Sequence, residues 1–291
     1  MRPSAYRLSS LREENFWGSR HLDGGEIMGQ ITGLSTMAQE MNTLKGKVAV
    51  ITGGASGIGK AVAEVLAEAD LAGLTIADID GKAAEKVAAE ICSRFDTKAI
   101  GVATDVALAA QVEAMCAQTM EQFRRIDILV NNAGIAPVVP WAEVTEANWR
   151  HVLDINLNGA FHCMQAVLPT MQRQQAGRIV NISSAGAFLG SICAHPAYGV
   201  AKAGLIALTK SAAKAFATDG ILVNAIAPGS IDTPMAQSFG EAQVEAFRQA
   251  APLKRQGSPR EIADAVWYLV SDRSTYVTGA TLHVNGGSLL V

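Results

Sequence analysis

The segment YGVAK sets Tyr198 and Lys202 four positions apart, one turn and one face of a helix. A phenol titrates near pH ~10 and is a poor base at neutrality. An ammonium beside it favours the phenolate and lowers that pKa. Such a pair could exchange a proton with a substrate hydroxyl or carbonyl oxygen. Alone it is also a coincidence that ordinary composition produces. The segment NISS adds Ser183 and Ser184 after an aliphatic run, where a hydroxyl could donate to the same oxygen. Ser184 keeps the better register with the strand end, and a loop-starting serine is the plain alternative. Asn156, in DINLNG, falls within a helical stretch that disfavours Asn. A buried amide with a structural or relay role is expected there.

These side chains need a scaffold, and VAVITGGASGIGK supplies its first turn. An apolar run breaks into Gly53, Gly54, Gly57 and Gly59 and resumes as a helix. A helix N-terminus presents unpaired N–H groups and a partial positive charge. Glycines remove the side chains that would keep a pyrophosphate away, and the last lets helix and strand pack. A tight turn without a ligand is the alternative. Asp78, in LTIADID, follows about 20 residues later at the next strand's end, where a carboxylate can accept both hydroxyls of an adenosine ribose. It would repel a 2′-phosphate, so NAD is expected over NADP. Asp80 competes for the assignment, and Lys60 keeps NADP open. Asn131-Asn132-Ala133-Gly134 follows a further strand and suits a backbone turn beside a cofactor.

Seven aliphatic runs read as strands: Val48–Ile51, Leu74–Ala77, Ala99–Thr104, Ile126–Val130, Arg178–Ile182, Ile221–Ile226 and Thr281–Val284. They are apolar throughout rather than alternating, as parallel strands covered on both faces are. Ala61–Ala69, Ala83–Phe95 and the long Asn148–Gln174 read as helices. This alternation predicts a doubly wound parallel α/β sheet in one domain over residues 44–291. Residues 1–43 lack the pattern and read as a flexible extension, or as sequence ahead of a start at Met28, Met37 or Met41. MRPSAYRLSSLR faintly resembles a transit segment, but Glu13, Glu14, Asp23 and Glu26 spoil it.

The 291 residues are 49% hydrophobic with a net charge of -3, which gives no electrostatic case for nucleic acid or an anionic membrane. No apolar run is long enough to span a bilayer. Cys92, Cys116, Cys163 and Cys193 form no zinc-ligand spacing and read as buried free thiols of a reducing, cytoplasmic compartment.

Taken together, TGGASGIG at Thr52–Gly59, NNAG at Asn131–Gly134, Asn156, Ser184, Tyr198 with Lys202, APGSIDTPM at Ala227–Met235 and TGATLHVNGG at Thr278–Gly287 resemble the short-chain dehydrogenase/reductase family, in its motif order, from about Leu44 to the C-terminus. The resemblance implies a Rossmann-type sheet of about seven strands and hydride transfer between nicotinamide and a secondary alcohol or ketone. It implies Tyr198 as acid/base, Lys202 as the residue lowering its pKa and holding the nicotinamide ribose, Ser184 orienting the carbonyl and Asn156 holding a relay water. No metal is implied. Cofactor contacts would come from Gly53, Ser56, Gly57, Ile58, Gly59 and Asp78, from Asp105 and Val106 near the adenine, and from Asn132, Ala133 and Gly134. Pro228, Gly229, Ile231 and Thr233 would lie near the nicotinamide amide. It also implies a homotetramer. The segment from Ser184 to Tyr198 is a residue longer than the family's usual spacing.

Three groups of residues are expected around the substrate: a lid over 232–257 with Met235, Phe239, Val244 and Phe247; Phe188, Leu189, Ile192 and His195; and Ile135, Pro137, Val138, Val139 and Trp141. The pocket they form is mostly apolar, which favours a hydrophobic ketone or alcohol as the small-molecule substrate. His195 reads as a loop residue before Pro196 rather than a second base. A 3-oxoacyl-thioester reductase is the alternative enzyme, with Asp78 against its usual NADPH preference. A non-catalytic nucleotide-binding scaffold is the remaining reading.

Overall fold

The structure is a computed structural model and describes residues 43–191 and 193–291. The N-terminal extension, but for Thr43, and Ile192 of the expected pocket lie outside the described residues. The elements run β1 (Val48–Thr52), α1 (Gly57–Glu68), β2 (Gly73–Asp78), α2 (Gly81–Arg94), β3 (Lys98–Ala103), α3 (Ala109–Phe123), β4 (Ile128–Asn131), α4 (Glu146–Leu153), α5 (Gly159–Gln174), β5 (Gly177–Ile182), α6 (Gly186–Leu189), α7 (Pro196–Phe216), β6 (Ile221–Pro228), α8 (Pro234–Gln237), α9 (Glu241–Ala250), α10 (Pro259–Val270) and β7 (Thr281–Val284).

All seven strands pair in parallel, in the order β3-β2-β1-β4-β5-β6-β7. Each crossover returns the chain to the same end of the sheet, so every strand delivers its loop to one carboxyl edge. Adjacent strand residues face opposite layers. Ile51 joins Val62, Leu66, Ile262 and Val266 under α1 and α10, whereas Val50 joins Met115, Cys163, Val167 and Met171 under α3 and α5. Burying such a side chain contributes about 1.5–3 kcal/mol, which explains the unbroken apolar runs.

The sheet reverses direction of growth between β1 and β4, and the carboxyl edge opens there into a crevice. Two local departures from the sequence expectation shape that edge. The expected helix Asn148–Gln174 is broken: α4 ends at Leu153, Asp154–Asn158 forms a π turn, and α5 begins at Gly159. The side chain of Asn156 donates to the Val152 carbonyl at 2.9 Å, displacing the backbone N–H that an α-helix would send there. Cys92 is exposed and Cys193 half-exposed, so only Cys116 and Cys163 are buried thiols, as helix α2 turns Cys92 outward.

Candidate active site

The glycine turn is built by contact with the neighbouring strand's loop. Asn132 donates to the carbonyls of Thr52 and Gly53 at 3.1 and 2.9 Å, while Thr52 Oγ1 accepts the N–H groups of Asn132 and Ala133. Gly53 has φ +61°, and a Cβ on it would stand 2.9 Å from Ala133 Cα; on Gly59 it would stand 2.1 Å from Gly53 O. No other residue fits either position.

Helix α1 then starts with N–H groups that the Ser56 side chain does not cap, and no acid occupies its first turn. That arrangement suits an anion. Asp78 lies across the turn, its Oδ2 accepting Ala55 N–H at 3.0 Å and its Oδ1 accepting Asp80 N–H at 3.1 Å. Asp80 is separately engaged as the cap of α2, accepting from Ala83 N–H at 3.0 Å. Lys60 reaches Glu90 on α2 at 2.7 Å. A glycine turn, an open helix terminus and a carboxylate at the second strand's end fit a dinucleotide.

Asp105 and Val106 follow β3, outside the lining of the cleft. Asp105 Oδ1 accepts Ala107 N–H, and Val106 is buried against Gly159, with its carbonyl 3.1 Å from His162 Nδ1.

The strand β5 ends in two serines with opposite fates. Ser183 is buried and donates to the Lys202 carbonyl at 2.8 Å. Ser184 lines the cleft, accepts Gly186 N–H at 3.1 Å and hydrogen-bonds the Tyr198 phenol. Alternation along the strand therefore leaves Ser184, not Ser183, with the reacting groups. Helix α7 carries Tyr198 and Lys202 into the same cleft. Lys202 Nζ lies 5.7 Å from the Tyr198 ring centroid and donates to the Ile182 carbonyl at 2.9 Å.

The electrostatics depart from the sequence expectation. Burial pushes the Tyr198 phenol above its ordinary value, and the Ser184 hydrogen bond is what opposes it. Burial also brings the Lys202 ammonium down, to about 8. Behind the pair, Asn156 is buried, with Nδ2 donating to Ile135 O at 2.9 Å and Oδ1 accepting Ile135 N–H at 3.3 Å. Gly134 permits this, since a Cβ there would stand 2.6 Å from Asn156 Oδ1.

These residues border a cleft of about 330 Å³. Ile58, Asn132, Gly134, Pro228, Gly229, Ile231 and Thr233 line it with Ser184, Tyr198 and Lys202. Segment 232–257 is clipped at its base, with Ile231 and Gly257 bridging and Asp232 N–H donating to Gly257 O at 2.9 Å. Thr233 caps α8 and stands over Gly57. Met235, Phe239 and Phe247 face the cleft, and Val244 does not line it.

Other expected lining residues lie elsewhere. Trp141 and Val138 are exposed because their loop turns them outward. Phe188 packs on His283 with the rings tilted at 52° and their centroids 5.0 Å apart, leaving Leu189 in the cleft. Ile135, Pro137 and Val139 border a separate depression with Met235. His195 is a buried helix cap, with both ring nitrogens engaged. Arg255 of the 232–257 segment, Asn285 and Gly286 of TGATLHVNGG, and Glu261, unmarked in the sequence, also line the cleft. They come from the far end of the chain, and only the fold of β6 and β7 brings them in.

A family model described as enoyl-(acyl carrier protein) reductase matches residues 53–288. The 3-oxoacyl-(acyl-carrier-protein) reductase of Aquifex aeolicus (strain VF5) is 41% identical over 244 residues, covering 84% of this chain and 98% of the relative. That of Vibrio cholerae is 39% identical over 249 residues, covering 85% and 99%. A short-chain type dehydrogenase/reductase from Mycobacterium marinum superposes with a TM-score of 0.82 at 32% identity, over 87% of this chain and 99% of its own. Levodione reductase superposes at 0.78 with 36% identity, over 84% and 97%. With the sheet order, the glycine turn and the Tyr198–Lys202 pair already in place, this similarity over most of the length settles the kinship: the chain belongs to the short-chain dehydrogenase/reductase family of nicotinamide-dependent oxidoreductases.

Proposed function

We propose that the protein is an NAD-dependent oxidoreductase that interconverts an apolar secondary alcohol and its ketone, with Tyr198 as the acid/base. The observation that carries the reading is the convergence of Ser184, Tyr198 and Lys202 on one mostly apolar cleft beside the glycine turn. The bound dinucleotide supplies the hydride acceptor or donor. The chain's own residues do the rest. Gly53, Ser56, Gly57, Ile58 and Gly59 hold the pyrophosphate at the start of α1. Asp78 holds the adenosine ribose, and Lys202 the nicotinamide ribose. Ser184 donates to the substrate oxygen, and Tyr198 takes its proton in oxidation or returns one in reduction. Asn156 holds the loop of Gly134 and Ile135 against this centre.

NAD is favoured over NADP because Asp78 would face a 2′-phosphate with a charge of the same sign, and because Lys60 is already bonded to Glu90. The four free cysteines suit a reducing compartment such as the cytoplasm.

The relatives' names support a second reading, reduction of a 3-oxoacyl thioester. Against a phosphate-bearing carrier stands the cleft's charge. Its lining cations are Lys202, bonded to a carbonyl, and Arg255, held by both oxygens of Glu261. The test is NAD and NADP reduction with secondary alcohols of increasing chain length, and 3-oxoacyl thioesters run in reverse. Rates should rise with each added methylene of the alcohols. Higher kcat/KM for the thioesters would replace the first reading by the second, and no turnover on either panel would remove both.

A further inference from the structure

His195 joins three separate segments that flank the site. Its backbone N–H donates to the Pro137 carbonyl at 2.7 Å, in the loop after β4. Its Nδ1 accepts the Ala197 N–H at 3.1 Å, capping α7. That bond places the ring proton on Nε2, which donates to Asn148 Oδ1 on α4 at 2.9 Å. The Asn148 amide is oriented consistently: Oδ1 also accepts Thr145 N–H at 2.8 Å, and Nδ2 donates to Glu143 O at 3.1 Å. The imidazole is fully buried, with the Trp149 ring 6.2 Å away. Finally, the His195 carbonyl accepts the N–H of Tyr198 itself at 2.9 Å.

We propose that His195 is a positioning residue: through Asn148 and Ala197 it fixes the first turn of α7 against α4, and so sets where the Tyr198 hydroxyl meets the substrate oxygen. This rests on Tyr198 being the acid/base. With both nitrogens committed, the ring transfers no proton to substrate. Its contribution is geometric. Tyr198 sits in the first turn of its helix, the part that frays most easily, yet its hydroxyl must reach Ser184 and the substrate together. A displacement of about 1 Å at such a centre can cost up to ~100-fold in rate.

The test compares kcat and NADH affinity for His195→Ala, His195→Asn, Asn148→Ala and Thr145→Ala, with Tyr198→Phe as the reference for lost chemistry. His195→Ala removes the cap and the tie. His195→Asn keeps an acceptor for Ala197 but is too short for Asn148. Thr145→Ala breaks the same capping box on α4 without touching His195. We expect His195→Ala and Asn148→Ala each to lose about tenfold or more in kcat with NADH affinity unchanged. His195→Asn should recover part of the His195→Ala loss, and Thr145→Ala should keep wild-type kcat. The His195→Ala/Asn148→Ala double variant should be no worse than His195→Ala, since the tie that Asn148→Ala removes is already lost in His195→Ala. Wild-type kcat in both His195→Ala and Asn148→Ala, with Tyr198→Phe inactive, overturns the proposal alone. So does an equal loss in Thr145→Ala and Asn148→Ala, which would trace the effect to α4 stability. If His195→Ala does not fold, the Asn148→Ala and Thr145→Ala pair still decides. Activity in Tyr198→Phe would remove the underlying reading instead.

Discussion

The carboxylate of Asp78 accepts the backbone N–H of Ala55 at 3.0 Å, which ties the end of β2 to the glycine turn after β1. On the proposed reading the same group binds a ribose diol and repels a 2′-phosphate. Asp78→Ala should raise the KM for NAD by roughly ten- to a hundredfold, the loss of a hydrogen bond to a charged group at ~1.5–3 kcal/mol. NADP should improve relative to NAD. Since that change also frees the turn, Asp78→Asn, which keeps an oxygen for Ala55, separates repulsion from loop order. Steady-state kinetics with both cofactors decides it. A wild type more efficient with NADP than with NAD would show that the carboxylate does not select.

Assembly is expected to be a homotetramer built on α5, α7 and β7. Phe161 on α5 and Val200 on α7 are about half exposed, at 46% and 51%, and β7 is an edge strand. Large apolar side chains on neighbouring helices mark a surface for a second copy. Light scattering at micromolar concentration should give four times the chain mass, and a monomer there would refute the expectation.

A chain beginning at Met41 should keep full turnover and cofactor affinity, because every site residue lies beyond it. Assay of the shortened chain against the full one checks this. Reduced activity would mean that the first forty or so residues contribute to the site or to assembly.

The fold was readable where burial dictates residue type. Strands covered on both faces must be apolar throughout, so β1, β2 and β5 stand out in the sequence nearly to the residue. Tyr198 and Lys202 were readable because helical spacing alone puts them on one face. What escaped depends on contacts between distant segments. The π turn at Asn156 exists because its amide meets Ile135 and Val152. The outward turn of Trp141, and the arrival of Glu261 in the cleft, are likewise tertiary. Charge proximity is visible in sequence and desolvation is not, so the burial that raises the Tyr198 phenol in the free protein is read only from the fold.

Lys202 should weaken the free protein while serving its site. Its folded pKa is depressed to about 8 from 10.5, so charging the buried amine costs stability below that range. The unfolded chain binds more protons between the two values, and stability from this group therefore rises with pH through that window. Lys202→Met should melt above wild type at pH 7, and the gap should narrow as pH rises from about 8 towards 10.5. Thermal melts of both proteins across that range test it. A wild type that melts higher at pH 7 would mean that the hydrogen bond to Ile182 outweighs the burial cost.

Tyr198 carries the sharpest expectation. Oxidation of an alcohol needs the phenolate, and burial holds the phenol above its ordinary value in the free protein. The rate of oxidation should therefore rise with pH across the neutral range, while reduction, which needs the phenol, should stay level there and fall only at higher pH. The positive charge of the bound oxidised cofactor brings the pKa down, so the midpoint of the rise should lie below that of the free protein, where the Ser184 hydrogen bond alone opposes burial. Ser184→Ala should move that midpoint up. Tyr198→Phe keeps the ring and removes only the hydroxyl, and should cost at least about a hundredfold in kcat, the lower end for general acid–base catalysis. Cofactor affinity should hold, whereas Lys202→Ala should lose both turnover and NAD binding. If Tyr198→Phe kept most of its activity on the best substrate, the proton would be moving through another group, and the pH profile would then report that group instead.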